Sequence, residues 1–469
     1  MIYSSEPIAA DKVVEAGVIG TGQYATAIVT QAQSIPQLNI PIVADTEIES
    51  AKRAYQLAGI DDSQVIVADT RAQALSGIER GKKVVVADPY LLMDLPLEVI
   101  AEGTGDATAG AVHATTALQN GKHVVMITKE TEVVVGSLLR QRAQQAGLVY
   151  TVADGDQPSL LIALIDWCRQ IGLEVLCGGK FGEQRIFVDL PNQKLHLSRN
   201  RTLTLAQEQA NLFHPLIGPN NHSHLLETTV ERQSLLDQLI DIRTDDLIEL
   251  GIVANATDLR IEKERLHHPI LWPNEIPTVL SPNVYGGLLQ EPGVIDQVTY
   301  LRSTNDTSMG GGVFVTVHAD NAYSRQIIQE KGHICNSDGT SCLIFRPYHL
   351  CGVETPYSIL SAGLMNCPTS GWQMTQNYDV YARAKQDLSA GITISSSHNL
   401  DFEAFLAPAI QVDNPTSSDS PIPYHLVTGL RLEQDIVAGT ALTHQMVENL
   451  TESPLWQLRV EQDTESPLA

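Results

Sequence analysis

Residues 14–28, Val14-Glu15-Ala16-Gly17-Val18-Ile19-Gly20-Thr21-Gly22-Gln23-Tyr24-Ala25-Thr26-Ala27-Ile28, decide the fold. An apolar run ends at Gly20 and passes through Gly20-Thr21-Gly22-Gln23-Tyr24-Ala25 into helical spacing. This is G-x-G-x-x-A opening a helix behind a strand, an arrangement suited to a dinucleotide pyrophosphate. Gly20 allows the tight turn, Gly22 lets backbone approach the phosphates, and Ala25 lets helix and strand pack closely. The helix start adds free N–H groups and the positive end of its dipole. A second apolar run, 39–44, ends at Asp45, where an acid accepts from ribose hydroxyls. A carboxylate repels a 2′-phosphate, so Asp45 tilts the expected cofactor to NAD. Lys52 and Arg53 behind it keep NADP open.

Outward from this turn, β-branched runs at 65–68, 83–88, 123–127 and 147–152 alternate with helical patterns. That alternation predicts an α/β fold with a Rossmann doubly wound parallel sheet over 1–155. Residues 156–375 change character. Pro158 opens a helix, 173–176 reads as a strand ending in a Gly178-Gly179-Lys180 turn, and 247–256 reads as a helix. Strands are expected at 310–317 and 341–346. The mixture predicts a central α+β catalytic, substrate and oligomerisation domain. Over 376–469 the pattern D-[LI]-x-A-G-x-x-[IL] occurs twice, at 387–394 and 435–442. A turn glycine before a strand suits each copy. The loop 415–421 is polar, and the tail from Thr451 is expected to be frayed.

The formal net charge of −25 argues against nucleic acid and anionic membranes as partners. No apolar stretch approaches membrane-spanning length and no secretory leader opens the chain, so a cytoplasmic protein is expected. Six cysteines without zinc-ligand spacing read as reduced packing residues.

Four places carry candidate chemistry. Thr128-Lys129-Glu130 follows a strand, where open parallel sheets bind ligands. Lys129 and Glu130 would then border the nicotinamide, with Thr128 beside the cofactor; the alternative is an ordinary helix start capped by Thr128. Asp154-Gly155-Asp156 also follows a strand, and its carboxylates suit a substrate hydroxyl or a divalent ion, though two carboxylates are an incomplete ligand set. Lys180 would protonate a carbonyl oxygen as hydride arrives, with its pKa lowered in a desolvated cleft. Arg346 suits an anionic group and His349 a proton shuttle.

These residues resemble the SAF-domain oxidoreductases termed homoserine dehydrogenase-like, a family that includes 1-deoxy-D-xylulose 5-phosphate reductoisomerase-like enzymes. The resemblance rests on 20–22, 125–130, 155–158, 179–180, 253–257 and 346–350, with the doubled D-[LI]-x-A-G segment resembling the SAF (β-clip) module. It implies a Rossmann domain, a central catalytic domain, NAD(P)-dependent reduction of a small hydroxy-carbonyl substrate, sometimes with isomerisation, and a homodimer or larger assembly. By the same resemblance Lys180 leads the catalytic candidates. Asp45-Thr46 departs from the basic pattern suited to NADP, and Phe181-Gly182 stands where a glycine directly after the lysine is expected. Homoserine dehydrogenase activity and a dinucleotide-binding protein without turnover are the alternatives.

Overall fold

The computed structural model describes residues 12–184, 186–197, 201–216, 222–237, 239–303, 305–395, 401–409 and 419–465. The chain starts as β1 (Val14–Ile19), α1 (Gln23–Ala32), β2 (Leu38–Ala44), α2 (Ile48–Leu57), β3 (Val65–Val67), α3 (Arg71–Glu79) and β4 (Lys83–Val86). It continues as β5 (Val99–Glu102), α4 (Ala107–Gln119), β6 (His123–Met126), α5 (Lys129–Gln145) and β7 (Tyr150–Val152). The seven strands are all parallel, in the order β3-β4-β2-β1-β5-β6-β7. Strands β1, β5 and β6 are almost wholly buried, which is why they read as unbroken apolar runs. The order turns about β1, whose neighbours are β2 and β5. The crevice outside the carboxyl ends at such a switch point is where this architecture binds ligands.

The chain then runs through α6 (Gln157–Gln170), β8 (Glu174–Phe181), β9 (Ile186–Asp189), β10 (Lys194–Leu197), β11 (Arg201–Thr204), α7 (Gln207–Asn211) and α8 (His222–Leu236). Next come α9 (Thr244–Thr257), β12 (Ile270–Leu271), α10 (Ile276–Val279), β13 (Val294–Arg302), β14 (Val313–His318), α11 (Ala322–Glu330) and β15 (Cys342–Arg346). They build a mixed sheet, β11-β10-β9-β13-β8-β14-β15, with β12 beside β13. Two expectations fail here. Gly178-Gly179-Lys180 is not a turn but the interior of β8. A Cβ on Gly178 would lie 2.9 Å from the Ile165 side chain, and one on Gly179 would lie 2.4 Å from the Asp296 carbonyl. The glycines are there for close packing. The cysteines are not all reduced either: Cys335 and Cys342 face each other across an antiparallel bridge and form a disulfide. Cys168, Cys177, Cys351 and Cys367 are not disulfide-bonded.

The last part holds α12 (Thr355–Met365), β16 (Tyr378–Ala384), β17 (Phe402–Pro408), β18 (Arg431–Leu432), β19 (Val447–Glu448) and α13 (Pro454–Glu465). Ile359 and Ala362 of α12 join the core formed by Val14, Val99 and Val125. The expected fray from Thr451 is a helix instead, because Leu455, Trp456, Arg459 and Gln462 are buried. Residues 466–469 and 410–418, most of the expected polar loop, lie outside the described residues. By compactness the chain divides into Met1–Ser159 with Leu350–Ala469, and Leu160–His349.

The doubled motif folds as a pair related by a local twofold. Leu388 and Ile436 exchange backbone hydrogen bonds, both 2.8 Å. The Ala390 N–H donates to Asp435 Oδ1 (2.8 Å), and the Ala438 N–H donates to Asp387 Oδ1 (2.9 Å). Gly391 and Gly439, at φ 83° and 86°, donate to Leu432 and Ala384 at equivalent positions.

Candidate functional site

The glycine turn sits at the carboxyl end of β1, in the first unit. Gly20 has φ 79°, and a Cβ there would meet the Gly103 carbonyl at 2.6 Å. A Cβ on Gly22 would meet nothing within 4 Å, and no side chain caps α1. The first turn of α1 therefore faces open space, which fits a pyrophosphate group. Asp45 holds the turn. Its Oδ2 accepts from the Thr21 N–H (2.7 Å) and hydroxyl (2.5 Å), and its Oδ1 accepts from the Glu47 N–H (2.9 Å). Lys52 turns to the exposed Glu49 (2.7 Å). Gln23 is exposed and Ala25 is buried against the sheet.

Tyr24 ties this turn to the one after β7. Its hydroxyl donates to the Asp154 carbonyl (3.1 Å) and accepts from Thr355 Oγ1 (3.1 Å). Burial, helped by the charge on Asp156, pushes the phenol well up, so it stays protonated. Gly155 has φ 93°, and a Cβ there would lie 2.7 Å from the Leu350 carbonyl. Asp154 Oδ1 accepts from the Ser159 hydroxyl, and Asp156 Oδ1 accepts from the Gln157 N–H (2.9 Å). Among the described residues no three His, Cys, Asp or Glu side chains are placed to hold a metal ion.

Thr128 stands at the N-cap position of α5 but its side chain does not cap the helix. Its Oγ1 accepts from the Gly105 N–H (3.0 Å) and holds the 103–105 loop that backs Gly20. Lys129 and Glu130 follow, half-buried, in the first turn of α5. Glu102 was missed. It is fully buried, accepts from the Thr104 hydroxyl (2.6 Å), and lies 3.3 Å from His113 Nδ1. A lone acid closing the apolar run 99–101 was its signal in the sequence.

In the second unit Lys180 is 2% exposed, and its ammonium donates to Asp246 Oδ1 (2.7 Å) and to Glu249. Asp246 and Glu249 are one turn apart on α9, so both reach the same side. Burial by itself would lower the lysine, but the two carboxylates outweigh it and hold the ammonium above its ordinary range. The expected lowered pKa is therefore corrected, and Lys180 stays charged. Gln297 donates to Asp246 Oδ2 (3.1 Å) from β13, where it pairs with Lys180. Beside it, fully buried Asp296 receives His267 Nδ1 (2.6 Å) and the His268 N–H (2.9 Å). Burial lowers His268, which shares a 2.7 Å bond with Thr299. Asp246, Glu249, Asp296, His267 and His268 were all missed. The available signal was Asp246-x-x-Glu249 inside an apolar helix.

Lys180 and Arg346 both pair with Val313 of β14, from either side. In antiparallel pairing opposed residues share a face, so the two cations stand at one level of the sheet. The Arg346 guanidinium lies 5.1 Å from the Tyr348 ring centre. His349 Nδ1 donates to the Gly311 carbonyl (2.6 Å). Lys180, Arg346 and His349 belong to the second unit, and Lys129, Glu130 and Asp156 to the first.

Residues 220–355 match the family described as "Oxidoreductase DRL, catalytic domain". The second unit is thus similar, over most of its length, to an oxidoreductase catalytic domain, and the parallel sheet of the first unit has the Rossmann order. No curated protein is similar enough to match. Among solved structures, the chain is 17% identical to a mutant of KijD10, a 3-ketoreductase from Actinomadura kijaniata in complex with TDP-benzene and NADP (TM-score 0.26, covering 36% of this chain and 47% of that one). It is 12% identical to GenD2 from gentamicin A biosynthesis in complex with NAD (TM-score 0.27, 39% and 47%). It is 18% identical to myo-inositol dehydrogenase from Lactobacillus casei in complex with NAD(H) and myo-inositol (TM-score 0.27, 36% and 46%). The chain thus spans under half the length of these structures, and such scores describe a partial likeness of fold alone.

Proposed function

We propose that the chain is an NAD(P)-dependent oxidoreductase acting on a small hydroxy-carbonyl compound. The observation that carries the reading is the open space over Gly22, beside an uncapped helix start and an acid at the end of β2. Bound nicotinamide would supply or accept the hydride. Asp45 supports NAD over NADP, since a carboxylate there accepts from a ribose hydroxyl and repels a 2′-phosphate. In the second unit, two of the three Lys180 donors go to Asp246 and Glu249. The third would steady the substrate oxygen, and the carboxylates would take or return a proton. Arg346 would hold an anionic end, as on a phosphorylated sugar. Asp156, Lys129 and Glu130 are the proposed substrate and nicotinamide contacts of the first unit.

Coupled isomerisation, as in the reductoisomerase-like enzymes the sequence resembles, and homoserine oxidation are the two narrower forms of this proposal. A homo-oligomer is proposed with it, as is a cytoplasmic location. No helix among the described residues is long and apolar enough to cross a membrane. A panel of hydroxy-carbonyl substrates, including homoserine, followed by reduced-nicotinamide absorbance, separates the narrower forms. Binding without any turnover would favour a sensor.

The test of the reading itself is Gly22→Val. Its backbone is at φ −62° and its added side chain meets no protein atom, so folding should lose only about 1 kcal/mol. NADH and NADPH binding, titrated by fluorescence, should be abolished. Gly20→Ala should instead unfold at clearly lower temperature, because the residue sits at φ 79° against the Gly103 carbonyl. Full NADH binding by Gly22→Val would sink the proposal.

A further inference from the structure

α5 is broken near its start. Val135 takes φ −134° and ψ 15° inside an otherwise helical run. In an unbroken helix the Leu138 N–H bonds the Val134 carbonyl. Here one side chain bridges the two groups. The Leu138 N–H donates to Gln462 Oε1 (3.1 Å), and Gln462 Nε2 donates to the Val134 carbonyl (3.2 Å). Gln462 belongs to α13 and is 1% exposed. A residue more than three hundred positions away is spliced into the helix ladder.

The splice is held from several sides. Gln376 Nε2 donates to the adjacent Val133 carbonyl (3.0 Å) and to Asp379 Oδ1 (2.7 Å), and its own oxygen lies 3.4 Å from Gln462 Nε2. Arg459 of α13 grips Asp379 with two bonds, 2.8 and 2.6 Å. Glu461 of α13 pairs with Arg142, beyond the break on α5. No proline stands in this part of α5; the inserted carboxamide is itself a sufficient cause of the kink. A ladder group left unpaired and buried is costly, so the break persists only while Gln462 fills it.

The segment on the near side of the break is 129–134. Thr128 before it holds the loop behind the glycine turn, and Lys129 and Glu130 open it. We infer that Gln462 is a positioning residue: it sets the direction of this short segment and so the placement of Lys129 and Glu130 toward the nicotinamide end of the dinucleotide. Gln462 touches no ligand itself. The inference rests on the dinucleotide reading above.

The test compares two ligands in the full-length chain, NADH and ADP-ribose, which lacks the nicotinamide. Gln462→Leu should weaken NADH about 5–10-fold and leave ADP-ribose within about twofold. Gln462→Glu offers a reversible arm. Its charged form puts a carboxylate against the Val134 carbonyl, while its protonated form can donate there and still accept from Leu138. NADH binding by Gln462→Glu should therefore recover from pH 8 to pH 6, relative to wild type. Equal loss of both ligands, no loss of either, or no pH recovery would overturn the inference. If Gln462→Leu does not fold, the Gln462→Glu profile decides alone. Wild-type protein that binds neither ligand overturns the dinucleotide reading, and the inference with it.

Discussion

Lys180 carries a charge that its surroundings cannot spare. Asp246 and Glu249 are 3% and 4% exposed, and without the ammonium both buried carboxylates would lose the charge they share. Removing one partner of such a cluster typically costs about 3–5 kcal/mol. Lys180→Met should lose that much in chemical denaturation, and adding Asp246→Asn and Glu249→Gln should return part of it. A loss under about 1 kcal/mol would show that the cluster is not the buried ion pair described. His444 works in the opposite sense. Burial, and then the charge on Arg459, lower its pKa to about 4. The unfolded chain takes up that proton near pH 6.5 and the folded chain only near 4. Its contribution to stability is therefore full above pH 6.5 and lost as pH falls toward 4. Wild type should lose more in melting temperature between pH 7 and pH 5 than His444→Gln does. Equal losses would remove His444 from the acid response.

At the scale of elements, the C-terminal repeat shows what its motif encodes. Each aspartate reaches across the local twofold to the backbone N–H of the other copy's alanine. Neither the aspartate nor the glycine serves its own copy alone. The two bonds are equivalent, so Asp387→Ala and Asp435→Ala should cost the same, about 1 kcal/mol each. Costs differing by more than about 1 kcal/mol in urea melts would break the equivalence. β8 teaches a different lesson about glycine. Gly178-Gly179 looks like punctuation, but both residues are strand positions crowded by Ile165 and by the Asp296 backbone. Local composition signals absence of a side chain without saying whether a turn or a neighbour requires it. α5 likewise reads as a plain helix, because its break is made by a residue from the far end of the chain.

Across the whole molecule, what is local was legible. The β-branched runs are parallel strands because they are buried on both faces, and that burial leaves an unbroken apolar pattern in the sequence. The turn at Gly20-Thr21-Gly22 and the acid at 45 were legible for the same reason: adjacent residues build a strand, a turn and a helix start. α12 shows the limit. It lies beyond the whole central unit, yet Ile359 and Ala362 complete the core of the first sheet. The pairing of Lys180 with Asp246 and Glu249 crosses 66 and 69 positions, and the Gln462 splice crosses more than three hundred. Periodicity and turn chemistry act between near neighbours, so the sequence by itself determined the class of the first sheet and the residues of its glycine turn. Charge pairing and helix completion act through space between distant residues. Tertiary structure alone therefore decided that Lys180 is a buried, charged member of a cluster, and that the last helix completes the one bearing Lys129.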